Sequence, residues 1–244
     1  MEAVGAIGSS GLDQAVDSHI AIKENPAAVR KEGTTGWERW AGLAGLAFVA
    51  FYMGAFALGI EVGDKDEEIL SYYGSSSHRT KEIVAFFFIS AAALSLVILV
   101  AALRSLIVKS EERPWSLSAL AWAGGVMAAT LVLAGNAVSR APAFASMDDN
   151  FTLDPDQARL LNDLGFMLFA SATLAAILLV VAVSLATLRY GVLPRWVGWF
   201  GFPIALLLVL GIAFVGYLFF ALWIVVVAVA LLLRRQPSAP TAHT

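Results

Sequence analysis

Seven polar residues of this chain fall where side chains from different helices could meet: Glu61, Arg79, Glu82, Asn136, Arg140, Asn162 and Asp163. Carboxylates, guanidiniums and amides gathered in one ring could hold a small molecule or a lipid headgroup through charge-assisted hydrogen bonds. The same groups could instead satisfy one another between helices, because a buried amide or carboxylate needs partners. Asn136 is the most telling member, since it lies inside a long uncharged run. Asn162 and Asp163 stand just before another such run. The sequence leaves the binding and packing readings both open.

Other chemistry finds little support. Cysteine is absent, so there is no disulfide, thiol nucleophile or thiolate metal site. The three histidines, His19, His78 and His243, all lie outside the long apolar runs, which argues against a haem held by transmembrane histidines. No cofactor is expected, and no metal site. His78 sits in YYGSSSHRTKE, where serine, histidine and acid are neighbours. A seryl nucleophile needs a base, an orienting group and an oxyanion hole in fixed geometry. A Ser-rich loop supplies none of these, so the segment reads as solvated loop. The chain has no HExxH, P-loop or GxSxG pattern. No catalytic residue is assigned, and the chain reads as more consistent with a non-enzyme.

The elements that must position the ring are membrane spans. Of 244 residues, 59% are apolar and 14% charged; mean hydropathy is +0.77. Soluble domains hold about 45–50% apolar and about 25% charged residues. That excludes a disordered protein and an ordinary soluble enzyme, and a net charge of −3 gives no basic footprint for nucleic acid. A transmembrane helix needs about 20 apolar residues. Uncharged intervals of 21, 21, 26, 25 and 38 residues follow Arg39, Glu82, Arg113, Asp163 and Arg195. One helix of 38 residues would far exceed a hydrocarbon core about 30 Å thick. The last interval therefore reads as two spans joined by a tight turn near Gly211 and Gly216, which makes six in all. The expected spans are 41–60, 83–104, 116–137, 161–187, 194–212 and 216–233. A five-span chain is the alternative.

Charge gives the orientation. With six spans, 11 Lys and Arg share the side of both tails and 5 lie on the other. The positive-inside rule then places both termini in the cytoplasm of a plasma-membrane protein whose main partner is the lipid bilayer. Trp37, Trp40, Trp115, Trp196 and Trp199 fall at the cytoplasmic ends of spans, where indole rings anchor at the headgroups. The seven polar residues fall at the opposite, outward ends.

The expected architecture is all-α: a polytopic six-helix transmembrane bundle at 38–235, flanked by disordered cytoplasmic segments at 1–37 and 236–244. The N-terminal tail has no basic region followed by an apolar one, as a signal peptide would. Within the third loop, an outer one at 138–160, Asp154-Pro155-Asp156-Gln157 reads as a helix start, with Asp154 capping and Pro155 at the first helical position. Ala121, Gly125 and Ala129 form a small-xxx-small stripe that suits helix packing or a homo-oligomer.

Two stretches carry a resemblance. LRYGVLPRWVGWFG at 188–201 holds Arg189, Gly191, Leu193, Pro194, Arg195, Trp196, Gly198 and Trp199, and LDPDQARLLNDLGF occupies 153–166. Both resemble segments of an uncharacterised family of six-span bacterial integral membrane proteins, a domain of unknown function. The resemblance covers about residues 38–235 and implies a bacterial plasma-membrane protein. It implies no activity and carries no catalytic residue. The functional expectation is a structural, accessory or sensing membrane component, alone or with a membrane-protein partner. The rival is a small-solute or lipid transporter using an outward-facing site near Asn136 and Asp163.

Overall fold

The computed structural model describes residues 35–58, 63, 65–111, 117–148, 150–210 and 216–233. Among these residues the chain is all-helical. Seven helices follow in order: α1 (Thr35–Ala57), α2 (Asp66–Gly74), α3 (Ser76–Ser110), α4 (Leu117–Ala145), α5 (Pro155–Tyr190), α6 (Arg195–Leu210) and α7 (Gly216–Leu232). Four of them, α1, α3, α4 and α5, are long and apolar enough to cross a membrane. The shorter α6 and α7 are apolar too. The long C-terminal apolar interval is thus divided between two helices, of 16 and 17 residues. The flanking tails assigned above to disorder, the turn at 211–215, Glu61 and Trp115 lie outside the described residues.

Local chemistry sets the helix ends. Asp154 caps α5 by accepting from the Asp156 N–H at 3.0 Å, and Pro155 takes the first helical position. There its missing N–H breaks no helical bond. At the other end Gly191 adopts φ 68°, the left-handed conformation that glycine enters without a Cβ clash. The start of α4 is capped from a distance. Glu111, just beyond α3, accepts from the N–H groups of Leu117 and Ser118, at 2.9 and 3.3 Å, and from the Ser118 hydroxyl at 2.7 Å. A carboxylate at a helix N-terminus also meets the positive end of the helix dipole.

Two helices reach much further than the apolar runs require. At about 1.5 Å per residue, α3 and α5 are each more than 50 Å long. The first turns of α3 contain Ser76 to Glu82, the segment expected to be a solvated loop. Once the apolar part of α3 has formed, extending it adds a hydrogen bond per residue without a new nucleation cost. Glu82 and Arg79 then find partners only because that extension is helical. The expected loop before it also holds α2, whose Ile69, Tyr72 and Tyr73 recur at helical spacing and are buried. They pack with Ala143 of α4, Ala158 of α5 and Leu153 into a small cluster separate from the main core.

The main core lies along α3, α4 and α5, with α6 and α7 closing one side. Its seam is made by small residues. A Cβ on Gly124 of α4 would stand 2.7 Å from the Leu179 nitrogen and 2.9 Å from the Ala175 oxygen of α5. Further along, Gly135 and Gly165 face each other just as closely. Backbone approach of this kind gains dispersion and weak Cα–H···O contacts between the helices. The Gly125 stripe faces another way, with Val100 of α3 against it.

Candidate functional site

The helix ends beside α2 gather most of the expected ring, but they sort it into separate pieces. Glu82 of α3 is 2% exposed and forms an ion pair with Arg140 of α4 through one carboxylate oxygen. Its other oxygen accepts a 2.8 Å hydrogen bond from the Tyr72 hydroxyl of α2. A buried carboxylate is therefore matched by a cation and a neutral donor, which offsets its desolvation. Tyr72 stacks on the His78 ring at 4.5 Å between centroids and meets Tyr73 edge to face at 5.2 Å. Burial, and secondarily Tyr73, pushes the Tyr72 phenol above its ordinary pKa, against the opposing pull of Arg140.

Arg79 belongs to a different contact, donating to the Ser146 carbonyl oxygen at 2.6 Å. Asn136 is fully buried and points across to α3. Its amide donates to the Phe86 carbonyl at 3.0 Å and to the Ser90 hydroxyl at 3.3 Å. The four-residue steps from Glu82 to Phe86 to Ser90 on α3, and from Asn136 to Arg140 on α4, form one antiparallel polar ladder. Asn136 thus makes an interhelical hydrogen bond of the packing kind.

Asn162 and Asp163 stand apart from that ladder. With Arg159 and Ala158 they form the α5 wall of a cavity with room for about 280 Å³ of solvent; Ile69 and Tyr73 of α2 and Gly63 form the other wall. Arg159 is paired with Asp66 of α2 and with Asp156 on its own helix. Asp163 and Asn162 are exposed and carry no hydrogen bond or ion pair among the described residues. Asn136 does not line this cavity. A second cavity, between Phe48, Tyr52, Tyr217 and Phe220 inside the bundle, has only about 20 Å³, room for roughly one water. The first cavity is therefore the one sized for a ligand.

Sequence reasoning named the carboxylate, cation and amide of this region, yet missed Tyr72, Tyr73 and Asp66. The signal was the Ile69, Tyr72, Tyr73 spacing, which fits one face of a helical turn. Of the interface tryptophans, Trp37, Trp40, Trp196 and Trp199 are exposed, as lipid-facing rings would be. Among the described residues no group of His, Asp and Glu is placed to hold a metal ion. The fold and this site define a class: an all-helical chain with four helices long and apolar enough to cross a membrane, capped at one end by a short amphipathic helix. Comparison with protein-family models, curated proteins and solved structures returned no match for the chain.

Proposed function

We propose that the chain is an integral plasma-membrane protein of six spans with both termini cytoplasmic, acting without catalytic chemistry as a structural, accessory or sensing component. One observation carries this reading. The buried ion pair, Glu82 with Arg140, sits near the ends of its helices and ties them together, while the apolar midsections hold no Asp, Glu, Lys, Arg or His. Pumps, coupled transporters and voltage sensors place such groups in the midsections. The division of the last apolar interval into two helices supports the even span count. The LPRWVGW and LDPDQARLLNDLGF segments support placement in the six-span bacterial family they resemble. A reporter fused at the C-terminus should be active only when cytoplasmic; a periplasmic signal overturns the topology.

A second reading is favoured by the cavity at Asp163. It makes the protein a binder of a small molecule or lipid headgroup on its outward face. Because Asn136 bonds to α3 instead of lining that cavity, the geometry supports a surface site more than a path across the bilayer. Lipid and metabolite profiling of the purified protein, repeated with Asp163→Ala, tests it. Identical co-purifying molecules in both would remove the site.

A further inference from the structure

We infer that the cavity beside Asp163 binds the ammonium group of a zwitterionic phospholipid headgroup of the phosphoethanolamine type. The inference rests on the outward-facing binding reading above and gives that site its ligand class.

The first support is an unmet polar group in a formed cavity. Tyr73 is only 3% exposed and lines the cavity, yet its hydroxyl has no hydrogen-bond partner among the described residues. The hydroxyl is not among the buried unpaired atoms and so opens to the cavity, where a ligand oxygen or N–H can pair with it. The second is charge. Arg159 lies between the carboxylates of Asp66 and Asp156, so its cation is already matched, and Asp163 adds a further carboxylate on the same wall. With Asp66 and Asp156, which pair Arg159 from outside the lining, the surroundings of the cavity carry net negative charge, and Asp163 is the lining carboxylate free to attract a cation. Asp163 accepts from an ammonium N–H, and Asn162 beside it offers an amide N–H to a phosphate oxygen.

The third support is what lies next to the cavity. Leu160, Leu164 and Met167 are all exposed and follow one another at helical spacing along α5. At 3.6 residues per turn Asp163 sits about 60° around the axis from Leu160. The carboxylate is therefore at the edge of an apolar stripe that runs down toward the middle of α5. A headgroup seated in the cavity leaves its acyl chains against that stripe. A soluble amine shares the head chemistry but leaves the stripe uncovered. An anionic headgroup brings like charge to Asp163.

The test uses the full-length protein in nanodiscs of equal phosphatidylethanolamine and phosphatidylglycerol with matched acyl chains, with retained lipids counted by native mass spectrometry. Phosphatidylethanolamine should be retained over phosphatidylglycerol by about tenfold, the scale of one charge-assisted contact. Asp163→Asn should reduce the preference to about twofold or less, and Tyr73→Phe should weaken it in part. Glu67→Gln, which alters an exposed acid of α2 outside the cavity wall, should leave it unchanged. If Asp163→Asn fails to give a monodisperse protein, Tyr73→Phe and Asn162→Ala carry the comparison. Equal retention of the two lipids by the wild type overturns the headgroup assignment. In that event free ethanolamine is added: stabilisation that depends on Asp163 keeps the outward site and makes its ligand a soluble amine. No dependence on Asp163 for lipid or ethanolamine overturns both the inference and the site reading beneath it.

Discussion

Two junctions of the helical bundle, at opposite ends, are held together by different means. At the α2 end, side chains from distant elements meet through charge and hydrogen bonds: Tyr72 with Glu82, Glu82 with Arg140, Arg79 with the Ser146 carbonyl, Arg159 with Asp66. At the α5–α6 junction, on the end where Glu111 caps α4, shape does the holding. Gly198 and Gly201 of α6 lie against Leu188 and Ser184 of α5, so tightly that an added Cβ would collide. Ser184, Thr187 and Trp223 are buried there, and their side-chain polar atoms have no hydrogen-bond partner. The α2 end links helices through charges and donors, although Asn136 Oδ1, Arg140 Nε and His78 Nδ1 there also lack partners; the α5–α6 junction packs glycines closely around its unpaired atoms. Stability should therefore respond to opposite kinds of substitution at the two ends.

The largest expected effect is at the α2 end. Glu82→Ala leaves Arg140 mostly buried without its carboxylate, and should cost about 3–5 kcal/mol. Denaturant or thermal unfolding in mild detergent reads this directly, and a loss below 1 kcal/mol would mean water reaches the pair. Next comes the glycine seam: Gly124→Leu forces α4 from the α5 backbone and should cost about 1–3 kcal/mol or more. An unchanged melting temperature would show that the seam can open freely. Tyr72→Phe removes a donor to a carboxylate, at about 1.5–3 kcal/mol. The same Tyr72 gives a pH signature. Its phenol titrates higher in the folded protein than in the unfolded chain, so its contribution is full below about pH 10 and is lost as pH rises beyond it. Comparing the alkaline unfolding limbs of the wild type and Tyr72→Phe measures that share. The smallest effect, and the one that reverses sign, is Ser184→Ala. Removing an unpaired hydroxyl from a packed site should be neutral or mildly stabilising. A clear loss would show that Ser184 is bonded after all, and would erase the contrast between the ends.

Much of this was legible in the residues, for physical reasons. Asp154 and Pro155 announce the start of α5 because capping and a fixed φ act locally, and the structure has both. The long apolar runs were readable because composition marks a helix apolar enough to cross a membrane, and four helices are also long enough. The extension of α3 through Ser76 to Glu82 was not readable. Its polar turns look like loop unless the helix they grow from, and the partner Arg140, are both known. The ring was readable only as a set. Whether Asn136 turns toward Asp163 or toward Phe86 depends on how α4 is rotated about its axis, and that rotation is set by contacts such as Gly124 on α5. The amide's partner is a backbone carbonyl 50 positions away, which has no side-chain identity to read.

The α2 contact also fixes an order of assembly. Asp66 and Arg159 are 93 positions apart in the chain. At about 5–20 residues per second a ribosome needs roughly 5–20 s to make the intervening stretch. For that interval α2 has Glu82 and Arg140 to lean on at most, while Ala158, Leu153 and Arg159 do not yet exist or have just emerged. The cap must close late, after α3 and α4 have been made. A nascent chain halted before residue 150 would lack Leu153 and Ala158, two of the residues against which Ile69 and Tyr73 pack.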